Sequence, residues 1–488
     1  MASALTEISS RSPSTGEVLG TVMAATPAER AGDVRGVAEI QAFWAELPPS
    51  ARARHLRRLS RAALDSGPEL AELITREQGR PLTEAWTAEV VPAVRALGWL
   101  AARAARTLAG PRLSGGRRRP LPLRSGLTVE PRRVVVVELS ATAPWRTAAE
   151  RAGAALAAGA GVLLAPGPRC PLVGGHFAAL AARAGLPDGL VRTVHGLAPG
   201  AEELRRAGAD CVLGPAPLAA RQADGPGSAM VVLADAELES ALPAAVWAAF
   251  AYAGQGPYAL RRLYVAGPAA SAAVDECSRR ASLLRLGDPL RWETEVGPLA
   301  GRQALAALQA ELGLARCAGA TVRCGGEAVA PAGLTGAWFA PAVVSGPVPE
   351  RRAPGPVLAV ETLAGDGDAL AAVREAGPWT AVSLWTRDPA RAMRMAPDLR
   401  ASAVWVNAHD PTLDPAALAL ALDACVRRRP LGVGAGRDLR WHPYGPTTGR
   451  AARAGARLLY GPEGERLRTL VTERRALLGA ARRAARRG

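Results

Sequence analysis

The sequence predicts an α/β protein of two lobes, and three patterns predict it. Val134–Glu138 opens with four consecutive valines, the unbroken apolar run of a parallel strand covered on both faces. Around it, helical patterns at Ala148–Gly159 and Pro171–Gly185 alternate with short strand patterns at Val162–Leu164, Leu190–Val194 and Asp210–Leu213. From Val231 to about Pro430 the alternation resumes. Strand and helix in turn at this spacing specify a doubly wound, Rossmann-type sheet, an architecture that commonly binds dinucleotides.

Ahead of the first lobe, Ser12-Pro13-Ser14-Thr15-Gly16 is a turn leading into a short strand. Ala28–Leu47, Ala51–Ser66, Glu69–Gln78 and Leu82–Leu108 then carry apolar residues at three- and four-residue steps, the period of amphipathic helices. Gly110–Ser125 is rich in Pro, Arg and Gly. At the other end, Pro462–Gly488 reads as a separate helix. Leu467, Leu470, Val471, Leu477 and Leu478 share a face there, with Arg474, Arg475, Arg482, Arg483, Arg486 and Arg487 around them. No aromatic residue interleaves those charges as stacking on bases would want, so a docking or fraying helix is the expectation.

Composition removes several chemistries. All 60 basic residues are arginine, and Asn407 is the one asparagine. Without lysine there is no Schiff-base, P-loop or general-base lysine. The formal charge of +16 comes with an Ala/Gly/Pro-rich, arginine-only composition, as a GC-rich coding sequence gives, so nucleic acid is not the expected partner. Cys170, Cys211, Cys277, Cys317, Cys324 and Cys425 form no CxxC and have no histidine at zinc-ligand spacing, which predicts reduced thiols and no metal. Met1 to Gly20 has neither a basic nor an apolar signal region, and no apolar run reaches the roughly 18 residues of a membrane span, so a cytoplasmic protein is expected.

The most informative stretch is Phe250-Ala251-Tyr252-Ala253-Gly254-Gln255-Gly256-Pro257-Tyr258, an aromatic and glycine-rich turn before the apolar Arg262-Leu263-Tyr264-Val265. It resembles the nucleophile turn of the aldehyde dehydrogenase superfamily, Phe-x-Asn-x-Gly-Gln-x-Cys, with Phe250, Gly254 and Gln255 in register. Further marks follow in family order: Gly79-Arg80-Pro81, Pro144-Trp145, Leu286-Gly287-Asp288-Pro289, Val296-Gly297-Pro298-Leu299, Trp338-Phe339-Ala340-Pro341, Gly355-Pro356-Val357 and Val404-Trp405-Val406-Asn407. The resemblance runs from about Ser12 to Tyr460. The Gly-Pro at the nucleophile, with Asn-Ala-His at Asn407, is most similar to the family 16 aldehyde dehydrogenases.

The resemblance implies an aldehyde-dehydrogenase-like fold with a Rossmann-type cofactor-binding lobe over 1–109 and 134–230. It implies an oligomerisation hairpin over 110–133, a catalytic-type lobe over 231–430 and a return segment over 431–460, followed by the Arg-rich tail at 461–488. It also implies NAD(P) as cofactor, oxidation of aldehydes to acids, and a homo- or hetero-oligomer.

Position by position, the resemblance implies that the chemistry is lost. Pro257 stands at the nucleophile, Tyr252 at the turn's Asn, Arg146 at the oxyanion Asn after Pro144-Trp145, and Ala223 at the general base. Proline offers neither a nucleophile nor the backbone N–H that donates to the oxyanion. Of the cofactor contacts, Pro144, Trp145 and Gly214 survive. The adenosine-ribose Lys is Ala165, the pyrophosphate turn has Pro215 after Gly214, the second ribose Glu is Arg352, and the ring-packing Phe is Pro354. The expectation is a pseudoenzyme acting as scaffold or hetero-oligomer partner. Two alternatives stand beside it: an active oxidoreductase whose nucleophile has moved to Cys211 or Cys277, and an Arg-rich binding protein for acidic partners. His195 and His409 are expected in surface or capping roles, and Gly432-x-Gly434-x-Gly436 as the end of a loop.

Overall fold

The structure is a computed structural model that describes residues 6–109, 124–197, 201–214, 227–267, 270–349, 353–410, 413–433 and 444–485. Its contacts divide the chain into a large unit, 1–108 with 131–427, and a small one, 109–130 with 428–488.

Two parallel sheets organise the large unit. The first has four strands in the order Val191–Thr193, Gly161–Pro166, Val134–Leu139, Cys211–Leu213, all parallel. The valine run is buried because helices cover both faces; Val135, Val136 and Val137 have no exposed surface. The second sheet has seven strands in the order Thr321–Cys324, Ala342–Ser345, Val357–Leu363, Leu260–Ala266, Ser228–Val232, Trp379–Trp385, Ala401–Val406. Its pairs are parallel except the first, which is antiparallel. Three apolar clusters pack against this sheet, built mainly from Ala, Leu and Val, as a chain that is only 4 % aromatic must build them.

The N-terminal helices lie where their periodicity puts them. Pro27–Glu46 starts on a capping box in which the Thr26 hydroxyl accepts from the Glu29 amide and Glu29 accepts from the Thr26 amide. The helix expected over Leu82–Leu108 differs in one respect. A π-helical stretch, Ala85–Val90, precedes the regular helix Val91–Leu108. Pro92 explains it: proline has no N–H and its ring crowds the carbonyl four residues back, and the widened turn ahead relieves that conflict.

In the small unit, strands Arg124–Pro131 and Val426–Val433 form a two-stranded sheet. The single helix expected after Pro462 is instead two, Glu463–Thr472 and Arg474–Ala485, preceded by Pro446–Tyr460. Gly434 and Gly436 lie outside the described residues.

Candidate functional site

The helix Leu238–Phe250 ends in a tight turn that leads to the strand Leu260–Ala266. Three successive residues of the turn are left-handed: Tyr252 at φ 51°, Ala253 at φ 48° and Gly254 at φ 65°. For the two that carry a Cβ this costs on the order of 1–2 kcal/mol each. Gly254 is required on two counts, since a Cβ there would also lie 2.2 Å from the Gly355 carbonyl oxygen.

Specific contacts hold the strained turn. The Tyr252 amide donates to Glu84 Oε2 at 2.7 Å, and the Tyr252 hydroxyl donates to the Gln78 carbonyl at 3.3 Å. The buried Gln255 side chain donates to the carbonyls of Tyr252 and Pro298 and accepts from the Ala300 amide. At the tip stands Pro257, exposed, with no hydrogen on its nitrogen. At the position where the resemblance sets a nucleophile, the turn presents a pyrrolidine ring.

Beneath the turn lies a buried ionic cluster. The Arg80 guanidinium sits 4.3 Å from the centre of the Tyr252 ring, a cation–π contact, and approaches Glu84 at 3.6 Å and Glu89 at 3.9 Å. Burial pushes the carboxyl groups of Glu84 and Glu89 up to about 7, although Arg80 beside each opposes the rise. Glu89 Oε2 also accepts the Arg146 amide at 2.8 Å.

Arg146, which the resemblance sets at the oxyanion position, is held by two carboxylates. Its Nε donates to Glu150 at 2.8 Å and its Nη1 to Asp410 at 3.0 Å. Burial works against its charge, but Asp410 and Glu150 outweigh that and hold the guanidinium protonated beyond its usual range. A cation clamped between two carboxylates has much of its charge neutralised, which makes it a poor stabiliser of a transient oxyanion.

His409 is not at the surface, contrary to expectation. It is buried, with Nδ1 2.7 Å from Ser383 Oγ and Nε2 2.7 Å from the Tyr258 carbonyl oxygen. A carbonyl only accepts, so Nε2 carries the proton and Nδ1 accepts from the serine hydroxyl. Desolvation lowers its pKa and keeps the ring neutral. The imidazole packs edge-on against Trp405, and Trp405 against Tyr258. Its role is to tie the segment after Ala401–Val406 to the nucleophile turn. His195 also has its pKa lowered by burial, and its carbonyl accepts from the Ala25 amide.

These groups surround a cavity of about 490 Å³, lined among others by Arg80, Arg146, Tyr252, Pro257, Trp405 and His409. None of the six cysteines lines it. Cys277 is buried on the helix Ala270–Ser282, and burial pushes its thiol up to about 12. Cys211 sits in a strand, its thiol also raised by burial. A thiol raised in this way is a weak nucleophile at neutral pH.

Pro257 and Arg146 thus line the same cavity. Pro144 opens the short helix Pro144–Thr147, and Trp145 is fully buried against Phe177 and His176. Ala223, Pro215 and Arg352 lie outside the described residues. Ala165, the last residue but one of the strand Gly161–Pro166, offers only a methyl group, Pro354 is exposed, and a Cβ on Gly214 would lie 3.3 Å from the Glu138 carboxylate. Ala165 thus offers a ribose no hydrogen-bonding side chain, and the Glu138 carboxylate beside Gly214 would repel a phosphate placed there, so these described positions do not fit a dinucleotide. Among the described residues, no cluster of His, Cys, Asp or Glu could hold a metal ion.

Comparison with known proteins is consistent over most of the chain. The model of the "Aldehyde dehydrogenase family" matches residues 1–207 and 223–418. A betaine aldehyde dehydrogenase of Cereibacter sphaeroides is 30% identical over 421 residues, 82% of this chain and 85% of that one. A glutarate-semialdehyde dehydrogenase of Pseudomonas aeruginosa is 27% identical over 428 residues, 81% of this chain and 85% of its own. Among solved structures, PnpE from Pseudomonas sp. WBC-3 superposes with a TM-score of 0.77 at 22% identity, covering 90% of this chain and 96% of that one. The aldehyde dehydrogenase KauB from Pseudomonas aeruginosa gives 0.76 at 23%, covering 88% and 93%.

Proposed function

The chain belongs to the aldehyde dehydrogenase family, and from that membership and Pro257 we propose a catalytically silent protein that works by binding. The family's reaction is the NAD(P)-dependent oxidation of aldehydes. That reaction needs a thiolate, oxyanion donors and a general base. This chain keeps the strained turn that would carry the thiolate and places Pro257 at its tip, and that observation carries the reading. Arg146, engaged by Glu150 and Asp410, supports it from the opposite wall of the chemistry.

The role that remains for such a protein is a scaffold, or the partner of an active relative in a hetero-oligomer. The relatives' names mention betaine aldehyde and glutarate semialdehyde, and an inactive relative of such enzymes would regulate or assemble with them. Calorimetric titration of NAD⁺ and NADP⁺ into the purified full chain tests the reading. We expect no saturable heat from either. Tight, saturable binding of one of them would reopen an enzymatic role.

A further inference from the structure

The small unit has its polarity reversed. Among its described residues the buried side chains are Ala451, Ala454, Thr469 and Ala476. Its larger apolar groups face outward instead: Leu467 is 79% exposed, Leu470 59%, Val471 65% and Leu478 55%. On the helix Glu463–Thr472, Leu467, Leu470 and Val471 stand at i, i+3 and i+4 and so form one stripe, while the buried Thr469 marks the inward side. The helix turns its apolar face to solvent and a polar residue to its own unit.

Charge is as unevenly distributed as apolarity. Segments 109–130 and 428–488 hold 20 of the 60 basic residues and 5 of the 44 acidic ones, so they carry +15 of the formal +16. Exposed arginines flank the stripe. Arg466 and Arg468 lie on either side of Leu467, and Arg474, Arg475 and Arg482 surround Leu478. The family match ends at residue 418, so it does not extend to these helices.

We propose that the helices Glu463–Thr472 and Arg474–Ala485 dock this protein on an anionic lipid surface. Aliphatic side chains enter the acyl boundary, and the arginines, with long stems and charged tips, reach the phosphate headgroups around them. Either signal alone binds a membrane weakly, and their combination gives stable association. The same face of a second copy is the wrong occupant, since each small unit carries a formal +15 and two such units repel. Nucleic acid matches the charge but leaves an aliphatic stripe in water. This inference stands apart from what the cavity binds.

The test is flotation of the full chain with vesicles of mixed phosphatidylglycerol and phosphatidylcholine, against vesicles of phosphatidylcholine alone. The protein should float with the anionic vesicles, remain behind with the neutral ones, and dissociate as salt rises. Leu467→Asp with Leu470→Asp should weaken the association about tenfold or more, because the stripe then meets the headgroups with charge. Arg474→Gln with Arg475→Gln should weaken it by a similar factor, roughly tenfold. All four side chains are exposed, and an unchanged thermal melt verifies folding. Failure to float with anionic vesicles at low salt would overturn the proposal, as would full association of the double-leucine variant. Binding to soluble polyglutamate but to no vesicle would assign the surface to an acidic protein instead.

Discussion

The amide of Tyr252 is fixed by the carboxylate of Glu84 at 2.7 Å, 168 residues away in sequence. This bond ties a left-handed residue of the nucleophile turn to the buried cluster around Arg80. It helps to hold the strained turn in place.

Replacing Glu84 with Gln should therefore destabilise the protein by about 1–3 kcal/mol, since Arg80 loses a buried counter-charge and the Tyr252 amide a charged acceptor. Chemical denaturation measures this. A loss within error of zero would mean that the contact does not hold the turn.

Gly254→Ala should be worse. The left-handed backbone and the approach to the Gly355 carbonyl act together, and a loss of roughly 3 kcal/mol or more is expected, with low soluble yield. An alanine variant as stable as the parent would show that the turn is not closed as described.

Glu89 predicts a pH dependence with a definite sign. Burial pushes its carboxyl up to about 7 in the folded chain, against 4.5 for a solvated glutamate. The folded state therefore holds a proton that the unfolded state has released, and stability from this group is full below about 4.5 and lost as pH rises toward 7. His409, with a lowered pKa, works in the opposite sense, so the comparison must be with a variant. Denaturation midpoints of the parent should fall relative to those of Glu89→Gln across that window. Parallel pH profiles would contradict it.

Nitrogen-15 NMR of His409 should show a neutral ring protonated at Nε2 at pH 7, as its bonds to Tyr258 and Ser383 require. Ser383→Ala removes the donor to Nδ1 and should cost about 1–2 kcal/mol.

What the sequence revealed and what it concealed follow from how local each signal is. The valine run Val134–Val137 is legible because a strand buried on both faces has no alternation to disguise it. Pro257 is legible because Phe250, Gly254 and Gln255 fix its register within a few residues. His409 was misread because its partners lie 26 and 151 residues away and form no local pattern. The Arg80 cluster is hidden in the sequence behind Gly79-Arg80-Pro81, although Glu84 at i+4 and Glu89 at i+9 carry a signal: two acids on a helix start facing an arginine. The π-helical stretch before Pro92 was legible in principle, since a proline inside an apolar periodic run announces a distorted turn.

Pro257→Cys should place an exposed thiol at the tip, labelled readily by iodoacetamide, without making a dehydrogenase, because Arg146, which the resemblance sets at the oxyanion position, is held by Glu150 and Asp410. Intact-mass analysis reads the first outcome and NADH absorbance the second. Robust turnover by this single variant would show that the remaining machinery is intact.

The most direct measurement is the formation of NADH or NADPH by the unaltered chain, offered aldehydes of varied size and charge together with either cofactor. The absence of a nucleophile at Pro257 predicts no reduction above the enzyme-free rate. Reduction proportional to protein concentration would contradict the account at its centre.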